Sequence, residues 1–418
     1  MHKKLMVGIF ILLVSASLVF ADGFSIYEHG AKSMALCGAF TAQADDATAV
    51  FFNPAGITQL SGWNFAFTGT YIIPKASFTG PLSVDPNLYQ EAKAWNFFVP
   101  SLYATYAYTE DLSFGLGFFV PFGLGTDWGE NWVGKSLATK SEVQTYFFNL
   151  NVAYRIAPGL SLAAGVDYVM ANITLNRQAL FTPRDMWGSV ELTGDAASSW
   201  GYNAALHYQI NEMLSLGASF RSEVKLDIDG TAKFDFPSVN QVVDAEIAAL
   251  FPESKGKAEI TLPTFLIVGA ALKPFEALTV EADWFLIGWK SYDELAVDFE
   301  TETAAVKDES SPKKWHNGYS VRLGAEYRWN EKLAIRMGVD RDLDPAPDKY
   351  VDPTLPGADR WLFSIGAGYK LNEKMTVDAG YMFLSQDDRT ITDSDIGFNG
   401  TYKSIAHLMT LTLSYSLK

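Results

Sequence analysis

The chain has 418 residues, a formal net charge of −16 and one cysteine, with 48% hydrophobic and 14% aromatic residues. That acidic balance excludes nucleic acid as a partner, because nucleic acid requires a basic footprint. With only Cys37, no internal disulfide can form, so an exported chain of this kind takes its stability from elsewhere.

At the N-terminus, Lys3 and Lys4 precede an apolar run over 5–20, and Val19-Phe20-Ala21 closes it before Asp22. A basic start, a short apolar centre and small residues at the break predict a secretory signal, 1–21, cleaved after Ala21. The rival is a membrane anchor, which needs roughly 20 apolar residues, more than this run supplies. The segment 22–61 follows, with neither strand alternation nor a sustained helical stripe. Its residues are mostly small, with adjacent acids Asp45 and Asp46 and a sharp break at Asn53-Pro54-Ala55-Gly56.

From Gly62 onward the pattern has period two. Over 160–170, Leu160, Leu162, Ala164, Val166, Tyr168 and Met170 share one face, and Ser161, Ala163, Gly165, Asp167 and Val169 share the other. The same alternation predicts about fourteen strands. They lie near 62–73, 96–108, 112–120, 142–156, 160–175, 198–210, 213–229, 257–272, 277–290, 315–329, 332–342, 359–371, 374–385 and 402–417. Soluble strands run to about five or six residues, whereas a tilted membrane strand needs about 9–11. Most of these suit the membrane.

The connections fall into two classes that alternate strictly. Short turns lie at 109–111, 157–159, 211–212, 273–276, 330–331 and 372–373. Long polar loops lie at 74–95, 121–141, 176–197, 230–256, 291–314, 343–358 and 386–401. One buried face is all that alternation requires, so a soluble secreted sandwich would also show it. A sandwich, however, has no reason to keep every long loop at one end. The prediction is therefore all-β: a transmembrane antiparallel β-barrel over 62–418 in a bacterial outer membrane, tight turns facing the periplasm. In hydrocarbon no water pairs a stray amide, so the sheet must close and leave no edge. A barrel this wide cannot fill its bore with side chains alone, which makes 22–61 the expected plug, or hatch.

Several short stretches then carry a resemblance. They are Gly23-Phe24, Ala44-Asp45-Asp46-Ala47, Asn53-Pro54-Ala55, Phe122-Gly123-Leu124, Phe220-Arg221-Ser222-Glu223-Val224-Lys225, Leu262-Pro263, Pro356 with Asp359-Arg360, and Gly400-Thr401-Tyr402-Lys403. In this order the chain resembles the FadL family of outer-membrane transporters for long-chain fatty acids and other hydrophobic compounds, including its aromatic-hydrocarbon branch. The resemblance implies fourteen strands, an N-terminal hatch, and cargo that leaves sideways through a gap at a kinked third strand. That gap would lie at Pro121-Phe122-Gly123, where proline removes a ladder donor and glycine weakens a strand. The plainer alternative is that Pro121 ends the strand and starts a loop. Phe24 would be the hatch aromatic that touches cargo, and Arg177, beside Leu175, the cation for a carboxylate head. Trp315-His316 stands where a second cation, a lysine, is expected, and histidine is only partly charged at neutral pH. That departure points toward a less acidic cargo such as an aromatic hydrocarbon. Arg177 also reads as a solvated loop charge, and Asn53-Pro54-Ala55 as a turn entering the first strand. By the functional reading, Asp45, Asp46, Asn53, Pro54 and Ala55 gate the hatch.

The expected activity is passive uptake of hydrophobic molecules, long-chain fatty acids first and hydrocarbons as the alternative. Expected partners are that ligand and the outer-membrane lipids, with no cofactor, no metal and a monomeric state. A barrel lipase is the rival from another class. It requires a serine–histidine pair, and none of the chain's histidines sits in a recognisable catalytic motif. A general porin or a loop-presenting adhesin is the third class.

Overall fold

The computed structural model describes residues 23–417, so the expected signal peptide lies outside the described residues. Fourteen wall strands form one closed antiparallel barrel. In chain order they are β1 (Trp63–Thr79), β2 (Phe97–Ala107), β3 (Leu112–Phe119, continued by Gly123–Asp127), β4 (Lys140–Ala157) and β5 (Leu160–Phe181). Then come β6 (Met186–Gln209), β7 (Leu214–Arg221 and Val224–Asp235), β8 (Ser254–Leu262 and Phe265–Phe275), β9 (Leu278–Ile287) and β10 (Gly318–Arg328). The last four are β11 (Leu333–Leu343), β12 (Arg360–Lys370), β13 (Met375–Gln386) and β14 (Gly400–Leu417). The cylinder closes where β1 pairs with β14, from Trp63 opposite Leu417 to Thr79 opposite Thr401.

Alternation decides which side of the wall each residue meets. On β4, Phe148, Leu150, Val152 and Tyr154 are exposed outward, while Thr145, Phe147, Asn149 and Asn151 are buried inward. Aromatic rings gather at the tight-turn rim: Trp63 stacks on Tyr106 at 4.4 Å, and Tyr327 meets Trp329 at 6.2 Å. That is the interfacial girdle of a membrane barrel.

Two regions read as loops or continuous strands behave differently. The stretch 176–197 contains a long hairpin, in which β5 runs on to Phe181 and β6 starts at Met186. Above the bilayer a strand needs no greasy outer face, so its polar residues disguise it. The hairpin's Phe181 packs with Val243, Ile247 and Phe251, from or just after the helix Gln241–Leu250, inside another predicted loop. Strands β7 and β8 are each interrupted at neighbouring points, Ser222-Glu223 and Pro263-Thr264, where Pro263 lacks a ladder donor.

The segment 23–61 touches wall strands around the circumference. Ala31 N–H donates to Thr412 on β14, and Cys37 N–H to Ser364 on β12. The Thr58 and Ser161 hydroxyls are 2.7 Å apart, joining the segment to β5, and Arg155 on β4 donates to Thr58 O. It therefore lies within the bore. Its small residues allow a tightly folded path: a helix α1 (Ala31–Ala35), a second helical turn (Ala49–Phe52) and the 3-10 turn Pro54–Gln59. Gly38 holds a positive φ of 80°, and a methyl there would overlap the Arg322 guanidinium.

The strongest anchor is on β9. Consecutive amides of Phe40 and Thr41 donate to Asp283, and those of Ala42 and Gln43 to Glu281, at 2.5–3.1 Å. Four amides in a row thus find their acceptors on a single wall strand. A buried amide left without its partner costs about 1–3 kcal/mol. The double variant E281A/D283A is expected to retain a folded barrel while its plug becomes protease-sensitive. Planar-bilayer conductance should then change from nearly silent to steady.

Candidate functional site

Wall strand β3 is broken in its middle. Its first piece pairs with β2 from Leu102 opposite Phe118 to Ala107 opposite Ser113. Its second piece, Gly123–Asp127, pairs with β4, and no pairing with β2 is described for it. Between the pieces, Val120, Pro121 and Phe122 turn inward and are buried. Pro121 has no amide to give the ladder, which is why the break falls there. Thr145 on β4 donates to Phe122 O at 2.8 Å and holds the inward turn.

The start of the plug closes this break from within. Ser25 forms a bridge with Phe122, flanked by Ile26 N–H donating to Pro121 O at 2.8 Å and Gly123 N–H donating to Phe24 O at 3.0 Å. At the far end of this short tail, Thr70 on β1 donates to Glu28 O at 2.8 Å. Residues 24–28 thus run from the kink to β1 behind the unpaired part of β2.

A cavity of about 620 Å³ lies at the same place. Its lining mixes inward-facing residues, such as Ile72, Val99 and Leu408, with outward-facing ones, such as Phe98, Gln144 and Tyr146. Its lining thus draws on both faces of the wall, with β2 on one side and the second piece of β3 on the other.

Phe24 borders the cavity and sits in an aromatic cluster, its ring centroid 4.5 Å from Trp289, 6.0 Å from Phe122, 6.2 Å from Tyr292 and 6.4 Å from Trp315. Sequence reasoning singled out Phe24, Phe122 and Trp315, and the fold brings these together. It missed Trp289 and Tyr292, because nothing local distinguishes them from other strand-end aromatics.

Leu175 and Arg177 lie elsewhere. They border a second cavity, about 530 Å³, under the outer loops, and Arg177 is paired with Glu309. His316 is exposed, with its backbone N–H donating to Pro345 O. The buried cation near the aromatic cluster is Lys313, two residues before Trp315, paired with Asp352 at 2.5 Å. Lys313 borders the outer cavity, while Trp315 packs on Phe24 beside the inner one. The sequence signal was present in Lys313-Lys314-Trp315, but proximity to Trp315 did not say which lysine turns inward.

Burial works against the charge on Lys313, but Asp352 outweighs it and the ammonium pKa is raised. Burial alone would raise Asp352, but Lys313 outweighs it and holds the carboxyl below its ordinary value. The aspartate's contribution to stability is present above about pH 3.9 and is lost as pH falls through the lower folded pKa. The lysine's is present below about pH 10.4 and is lost as pH rises through the raised folded value.

Of the predicted gating residues, Asn53 is fully buried. Its side-chain amide donates to Thr41 O at 2.7 Å and Leu206 O at 2.9 Å, and its oxygen accepts from Ala55 N–H at 3.1 Å. It ties plug to plug and plug to β6 while starting the Pro54–Gln59 turn. Pro54 and Ala55 are buried beside it. Asp45 is paired with Lys32 at 2.6 Å, and Asp46 accepts from the Thr48 amide and hydroxyl. These acids lie within the plug, away from the Phe24 cluster.

The family described as outer membrane protein transport protein (OMPP1/FadL/TodX) has a profile that matches residues 12–417. The chain is 26% identical to outer membrane protein P1 of Haemophilus influenzae, covering 97% of this chain and 98% of that one. It is 24% identical to the long-chain fatty acid transport protein of Escherichia coli O6:H1, covering 94% of each. In fold it is similar to a FadL homologue of Pseudomonas aeruginosa, with a TM-score of 0.83, 17% identity and coverage of 94% and 99%. It is also similar to the Pseudomonas putida toluene transporter TodX, with a TM-score of 0.72, 17% identity and coverage of 96% and 99%.

Removing one member of a buried ion pair costs on the order of 3–5 kcal/mol, and the partial exposure of Asp352 places this pair near or below the lower end. In Lys313→Met, Asp352 loses its counter-charge, the Thr354 amide and hydroxyl are left to oppose burial, and its pKa rises. The loop 343–358 should then be better protected from hydrogen exchange at pH 5 than at pH 8. In the unaltered protein the difference should be smaller, set by Asp344, whose carboxyl burial raises to about 6.

Proposed function

The chain belongs to the outer membrane protein transport family (OMPP1/FadL/TodX), and on that premise we propose that it imports hydrophobic molecules by diffusion, releasing them sideways through the break in β3. The observation that carries this reading is the cavity beside the kink, bordered there by Val120 and Gly123 and lined by residues from both faces of the wall. Apolar solutes are held back by the polar layer outside the membrane, yet partition readily into lipid once past it. A flank exit places them there without crossing water.

In this reading the outer cavity, with Leu175 and Arg177, collects cargo beneath the loops. The aromatic cluster around Phe24 and Trp315 takes its apolar body. Movement of residues 24–28 breaks the two backbone bonds to the kink and clears the window, while the rest of the plug stays anchored on Glu281, Asp283 and Asn53. Long-chain fatty acids are the leading cargo, since Lys313 and Arg177 supply cations for a carboxylate. Hydrocarbons are the second reading, favoured by the density of rings at Phe24. The protein performs no chemistry on what it carries.

Ser25 and Phe122 face each other across a bridge of the close, non-hydrogen-bonded kind, with Cα atoms about 4.5 Å apart, which suits a disulfide. The variant S25C/F122C, expressed in a strain lacking its own transporter, should lose at least tenfold of its oleate uptake when oxidised and regain it on reduction. Unchanged uptake in the cross-linked protein would exclude movement of this tail from the route. Separately, Asn53→Ala should leave a heat-modifiable, folded barrel but slow uptake of labelled oleate several-fold, because the plug loses its tie to β6.

A further inference from the structure

The cavity beside the kink contains two opposed charges that the transport route above does not use. Glu28, on the tail, and Arg360, on β12, both border it. Arg360 also donates to Asp342 at 2.6 Å. The Glu28 side chain is half-buried, one carboxylate oxygen accepting from Tyr27 N–H at 3.0 Å. Other charged or titratable groups surround it on every side. Arg322 comes from β10, Asp340 from β11, Tyr27 and Cys37 from the plug, and Glu142 on β4 borders the same cavity, while Asp342 on β11 meets the site through Arg360. From β1 and β14 the neighbours, Thr70 and Ser404, are uncharged.

We infer that Glu28 and the anionic head of a cargo molecule compete for Arg360, so that an anion enters this cavity only as Glu28 takes up a proton. Two carboxylates near one cation cannot both stay ionised cheaply, and the one with less water around it yields. Loss of water already pushes the Glu28 carboxyl above its ordinary value, against the pull of Arg360 and Arg322. The anion also displaces the residue whose carbonyl ties the tail to Thr70. Glu28 is therefore a specificity residue and the link between arrival of a charged head and loosening of the tail. This rests on the lateral-exit reading of the same cavity.

The test uses the full-length mature protein in nanodiscs with two probes: tetradecyl sulfonate, which stays charged at every pH used, and tetradecanol, which is never charged. Sulfonate affinity should fall with rising pH above the Glu28 pKa, by up to about tenfold per pH unit for one linked proton. Tetradecanol affinity should be flat. In E28Q, and in E28A as a second variant, the sulfonate profile should be flat as well. A flat sulfonate profile in the unaltered protein, or the same slope in both variants, overturns the inference. Failure of tetradecanol to compete with oleate at all would instead overturn the import reading beneath it.

Discussion

An amide without a partner is intolerable in hydrocarbon, and the rest of this structure follows from that constraint. A sheet that crosses the bilayer must close, and here it does so along the whole length of β1 against β14. Closure with this many strands leaves a bore too wide to fill with side chains. The chain meets that second demand with its own first few dozen residues. Those residues are themselves full of polar backbone, so they need acceptors on the wall. Glu281 and Asp283 supply them for four consecutive amides, and Asn53 supplies a further tie to β6.

The same constraint explains how a window can exist. A gap in a membrane sheet exposes amides and carbonyls unless something else pairs them. At the kink, Pro121 has no amide to expose, and Pro121 O and the Gly123 amide are bonded by the tail. The tail thus stands in for the missing strand neighbour at the kink. Its two ends are fixed to different wall strands, at Gly123 and at Thr70, so a change at either end strains the other. The rings around Phe24 and the Glu28–Arg360 region both border the cavity beside this tail.

The buried ionic contacts in the bore have a different role from the loop pairs. Arg221 on β7 reaches Asp167 on β5 across β6, and Arg336 on β11 joins Glu326 on adjacent β10 and Asp378 on β13 across β12, all on the inward face, where each charge has a partner. Lys313 with Asp352 does the corresponding work between two outer loops.

Sequence alone determined the barrel, because alternation and loop length are local properties: a strand such as 160–170 shows its two faces without knowing its neighbours. It also marked 22–61 as unlike the wall, whereas an interruption at Pro121-Phe122-Gly123 came only from the family resemblance, beside the plainer reading that Pro121 ends a strand. The hairpin beyond Asn176 was missed because strands outside the bilayer need no apolar face. Tertiary structure decided the site. Phe24, Trp289, Tyr292 and Trp315 meet only because the plug threads the bore to bring position 24 against strand ends more than two hundred residues away. Tertiary structure likewise separated Arg177 from that cluster, pairing it with Glu309, and turned Lys313 inward while His316 faced out. Which charge enters a cavity depends on the loops folded above it, and no period along the chain records that.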